Sequence, residues 1–164
     1  MKAKSGALLF CTAMLICGCT APGYVNDKPT SVIESLPMSQ TDTVFKLNKI
    51  CNNVISATGG LEQQMIKYLS VAIDSSIEDK QAILTSIDMN IDIVQAASVE
   101  VSSFRPAEAL RQKTSQIKYS LNEAESYLRL LKSSVEKDDV EGMQKDFTNF
   151  MSIVNQLKIS STGM

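Results

Sequence analysis

Three features of this sequence predict an all-α fold, arranged as an up-down-up-down four-helix bundle. Apolar residues recur at alternating three- and four-residue steps in four separate stretches between residues 39 and 158. Short polar punctuation divides those stretches, so successive helices must run antiparallel. Three of the four prolines (Pro22, Pro29 and Pro37) lie before residue 39, which leaves the rest nearly free of helix breakers.

The first stretch carries Val44, Leu47, Cys51, Val54, Thr58, Leu61, Met65, Tyr68 and Ala72, a coiled-coil-like seam. Its phase runs unbroken across Gly59-Gly60, which predicts one long helix with the glycine pair as the place for a bend. Asp74-Ser75-Ser76 stops the pattern, and Ser75 with Glu78 has the spacing of a capping box. The second seam is Ile77, Leu84, Ile87, Ile91, Val94 and Val101, with Lys80 and Ser98 at its weak positions. Ile87 to Ile93 alternates as a strand would, but the 3-4 spacing extends well to the N-terminal side and selects helix.

Ser102-Ser103-Phe104-Arg105 makes the next connection, and Pro106 suits the first position of a third helix. That helix places Leu110, Thr114, Ile117, Leu121, Ala124, Leu128, Leu131 and Val135 on its seam, widened by Tyr127 and Leu130. Lys137-Asp138-Asp139 forms the last turn, with Asp138 and Glu141 as the expected cap. Val140, Met143, Phe147, Phe150, Val154 and Leu157 follow on the fourth seam. The bundle is expected to span 39–158, with 159–164 frayed. Leu121, Leu128, Phe147 and Val154 should be central, each contributing roughly 1.5–3 kcal/mol by burial.

Ahead of the bundle, residues 19–38 lack sustained apolar periodicity and read as a tether. A flexible coil of that length spans on the order of 25 Å. Residues 1–18 have the parts of a secretory signal: a basic start (Lys2, Lys4), an apolar centre from Ala7 to Ile16, and a small residue, Gly18. The apolar centre is too short for a transmembrane helix, which needs about 20 residues.

Ile16-Cys17-Gly18-Cys19 resembles the lipobox of bacterial lipoproteins. Phe10 and Ile16 are too large for the small-residue position, so Cys11 and Cys17 are poor alternatives as the modified residue. The resemblance implies cleavage between Gly18 and Cys19, a diacylglycerol on the Cys19 thiol and an N-acyl chain such as palmitate. Two or three acyl chains give stable anchoring. It implies an extracytoplasmic position on a bacterial membrane; Thr20, being non-acidic, points to the outer membrane where the cell has two.

Removing Lys2 and Lys4 from the 16 basic residues leaves 14 against 18 acidic ones, a formal charge of −4. Neither a basic stripe nor a stacking platform is present, which argues against nucleic-acid binding. Histidine is absent, which excludes His-based triads and imidazole metal sites. With Cys19 acylated and its predecessors removed, Cys51 is the one remaining thiol, expected to be buried and unreactive. No cofactor is expected.

Asp88, Asn90 and Asp92 open like a calcium loop, but Ile93 stands where Gly is needed and Val99 where Glu is needed. Asp88 and Asp92 remain a weak candidate metal pair, four apart on one helical face; a solvated acidic face is the preferred reading. Gly59-Gly60 lacks a phosphate-loop context, and no serine–lysine pair is singled out, so an enzyme is not expected.

Opposite the second seam lie Ala82, Ser86, Met89, Ile93 and Ala96, a second apolar-to-small stripe. It is either a docking face for a protein partner or a second copy, or it is covered by the tether or the first helix. The expected function is therefore a non-enzymatic interaction or structural module of the cell envelope. The alternative is a small-ligand or metal-binding lipoprotein, with Thr58, Tyr68, Lys80 and Thr114 as the polar groups available between helices.

Overall fold

Ser39 caps the first helix. Its hydroxyl accepts from the Asp42 amide at 3.0 Å and donates to the Asp42 carboxylate at 2.7 Å, a reciprocal cap. A computed structural model describes residues 36–70 and 77–163 of the chain. The helices are α1 (Gln40–Ser70), α2 (Ile77–Ser102), α3 (Arg111–Glu136) and α4 (Val140–Thr162), with one 3-10 turn at Glu108–Leu110. Among the described residues there is no strand. The signal, the Cys19 motif, the tether as far as residue 35, and the Asp74–Ser76 restart with Ala72 lie outside them.

The four helices form a bundle in which α1 packs on α2 and α4, and α3 packs on the same two. Between α2 and α3 the direction is legible in a polar ladder. Lys132 meets Asp88, Glu125 meets Gln95 and Asn122 meets Ser98. One index rises by seven and then three as the other falls by seven and then three, so the pair is antiparallel and in heptad register. Lys113, near the start of α3, donates to the Gly163 carbonyl at the end of α4, which orients that pair likewise.

α1 is continuous through Gly59-Gly60. Its buried face is Leu47, Cys51, Val54, Thr58, Leu61, Met65 and Tyr68, the expected seam, broadened by Thr43 and Ile50. Val44 is only half-buried. Thr43 is buried beside it under a lid at this end of the bundle: the Met38 amide donates to the Arg105 carbonyl, and the Ala107 amide donates to Thr43 Oγ1. The link between α2 and α3 thus closes over Thr43.

That link also corrects the expected start of the third helix. Pro106 does not open it; Ala107 remains extended (ψ 145°) and winding starts with the 3-10 turn at Glu108. At the α3–α4 turn the cap is Asp139, whose carboxylate accepts from the Gly142 amide, rather than Asp138. Asp138 instead takes a left-handed φ of 57°, reversing the chain one residue earlier. α4 runs to Thr162, past the expected limit at 158, and the Gly163 amide still donates to the Ile159 carbonyl.

The core is closed by Leu47, Leu61, Met65, Ile87, Leu121, Leu128 and Phe150, all sealed from solvent. Phe150, not Phe147, fills the centre of α4's contribution; Phe147 is half-buried at its edge. Leu130 and Val140, expected on the seams, are exposed.

Candidate functional site

α2 buries Ile87, Ile91, Val94 and Val101 as its seam predicts, but the inward face is turned partway round from that seam. Ile83, Ile87, Asn90, Ile91, Val94, Ala97 and Val101 are buried, while Leu84 is only half-buried. The core face is thus rotated toward Ile83, Asn90 and Ala97. Consequently the stripe of Ala82, Ser86, Met89, Ile93 and Ala96 does not lie opposite the core. It lies on the flank that faces α1: Ser86 and Ile93 are half-buried, and Ala82, Met89 and Ala96 are exposed.

With α1, four of these residues form a groove of ≈570 Å³. α1 supplies Ala57, Gly60 and Gln64 to one wall; Ala82, Ser86, Met89 and Ile93 line the other. None of these side chains is charged. Asn90 lies at the floor, buried, its amide donating to the Ser86 carbonyl within α2. Met89 is 60 % exposed. Sequence reasoning found the α2 wall but not the α1 wall, because Ala57, Gly60 and Gln64 carry no periodic apolar signal of their own.

The charged groups are arranged at the ends and on the opposite flank. Lys132 Nζ donates to both carboxylate oxygens of Asp88, at 2.7 and 2.8 Å. Hydrogen bonding to Asp88 holds the Lys132 ammonium above the ordinary lysine range. Asp92 is exposed, and among the described residues no three His, Cys, Asp or Glu side chains come together as a metal site.

Lys80 leaves the interior altogether. Its ammonium reaches the Glu136 carbonyl and the Asp138 carboxylate, so it sits at the C-terminal end of α3, where a cation is favoured. Of the other polar candidates, Thr58 donates to the Val54 carbonyl and Thr114 to the Leu110 carbonyl, each within its own helix, and Tyr68 is buried on the core face of α1.

Cys51 is fully buried, and burial pushes its thiol up to about 11, offset in part by Lys113. Such a thiol is a poor nucleophile at neutral pH. A second groove, of ≈590 Å³, runs between α3 and α4 beside Gln116, Tyr119, Glu123 and Gln156. It is open and most of its lining residues carry polar groups, and Tyr119 is engaged by Glu123, which raises its phenol.

Among the described residues no helix is long and apolar enough to cross a membrane. Comparison with protein-family models, with curated proteins and with solved structures found no match to this chain.

Proposed function

We propose that this chain is a lipid-anchored helical module of the bacterial envelope, non-enzymatic, that presents its α1/α2 groove to a helical protein partner. The observation that carries the docking half is the groove itself: uncharged walls around an exposed Met89, on the flank of α2 turned away from its polar ladder with α3. Such a surface suits an apolar helix face laid against it. The anchoring half rests on Ile16-Cys17-Gly18-Cys19 and the apolar run before it.

Each half has its own test. Growth with an alkyne-bearing fatty acid should label the wild-type chain and leave Cys19→Ser unlabelled and soluble; equal labelling of both removes the anchor. Met89→Glu combined with Ile93→Glu should abolish recovery of the partner while the helical circular dichroism is kept. Undiminished recovery removes the groove.

A further inference from the structure

We infer that the occupant of the α1/α2 groove is a second copy of this chain, related by a two-fold axis parallel to the helices; this rests on the docking-face reading above. Gly59 and Gly60 are adjacent glycines inside a helix. They sit in the middle of α1 with ordinary helical backbone, and a Cβ added at either meets nothing within 4 Å. Nothing inside the bundle therefore requires glycine there. Glycine in an exposed helix is otherwise kept where another group must approach the backbone closely, and here that group has to come from outside the bundle.

Met89 is of the right kind and at the right height. It lines the same groove as Ala57 and Gly60, so it stands level with Gly60 across the groove. Its side chain is exposed and flexible enough to fill an irregular hollow. A two-fold axis along the groove exchanges left and right while keeping height. Each Met89 then stands over Gly60 of the other copy, a self-complementary contact made twice.

Charge selects the same axis. Exposed charges on this side of α1 are Asp42, Lys46, Lys49 and Lys67, with lysine in excess, and those on α2 include Glu78 and Glu100. Lys46 lies over the Phe104 ring, at the level of Glu100, and Lys67 lies one turn beyond Gln64, toward Glu78. The parallel axis sets α1 of one copy beside α2 of the other, bringing lysine against glutamate at both ends. An axis perpendicular to the helices instead opposes α1 to α1 and lysine to lysine. The parallel axis also leaves Leu36 of both copies at one end, as two chains tethered to one membrane require.

The test places a benzophenone photo-crosslinking residue at position 89 of the full-length chain in the cell that makes it. The expected product has twice the chain's mass, with the crosslink inside residues 57–64. An adduct with a different protein overturns the second copy but leaves the docking face standing; no adduct overturns both. In the same background, Gly60→Ala should cut the twofold-mass product at least tenfold while raising Tm, since the bundle itself has room for the methyl. An undiminished product overturns the inference.

Discussion

Asp139 Oδ1 accepts a hydrogen bond from the Gly142 amide at 2.9 Å, and Gly142 has no room for a side chain: a Cβ there would run into the Asp139 carboxylate and the Ser134 hydroxyl. The two residues fix the entry to α4 together, one by capping it and the other by letting the cap fold back. Asp139→Ala should lower stability by about 1 kcal/mol, the usual cost of a lost N-cap. Gly142→Ala should cost as much or more, although alanine is the better helix former, because its methyl displaces the cap. Denaturant unfolding of the two variants checks this; a stabilised Gly142→Ala shows that the cap does not depend on the glycine.

This turn also shows what was legible in the sequence. The four helices and most of their seams could be read because burial imposes its 3.6-residue period over many turns; Leu47 through Tyr68 fall where the pattern puts them. A cap is a single residue, and Asp138 and Asp139 are chemically identical, so only the backbone (φ 57° at Asp138) decides between them. On α2 the seam was rotated because Leu84 is more apolar than Asn90 or Ala97, yet Asn90 can be buried by bonding to Ser86. The groove was half legible for a related reason: its α1 wall is made of residues too small or polar to announce themselves.

Phe147 and Phe150 both lie on the expected seam, with Phe147 the one expected at the centre, but their environments reverse that order. Phe150 is sealed from solvent, whereas Phe147 is half-buried at the rim of the core. Phe150→Ala should therefore cost about 3–5 kcal/mol, the range for removing a buried aromatic and leaving a cavity. Phe147→Ala should cost clearly less. Thermal unfolding followed at 222 nm reports the order, and equal losses would contradict the difference in burial.

Cys51 gives a pH dependence with a defined sign. Its folded-state value is raised from 9.0 to about 11 by burial, so the protonated thiol is what the fold favours. Below about pH 9 both folded and unfolded chains hold the proton, and the contribution is fully present. As pH rises through about 11 it is lost, on the order of 2 kcal/mol. The stability gap between wild type and Cys51→Ala should narrow between pH 8.5 and 10.5; parallel curves contradict this. At pH 7.5 a maleimide should label Cys51 only after denaturation, as read on the Cys51 peptide by mass spectrometry.

Gly59 and Gly60 make the last prediction, on the chain alone and at concentrations low enough to keep it monomeric. Each glycine in a helix interior costs about 1 kcal/mol relative to alanine, through backbone entropy. That cost is recovered on substitution only when the added methyl meets no obstacle and the backbone is helical, and both conditions hold here. The double variant should therefore gain about 2 kcal/mol, a rise in Tm of roughly 3–5 °C per kcal/mol for a domain of this size. A lowered Tm would mean that the glycines serve a bend within α1, as two adjacent breakers in a long seam could, rather than a contact on its surface.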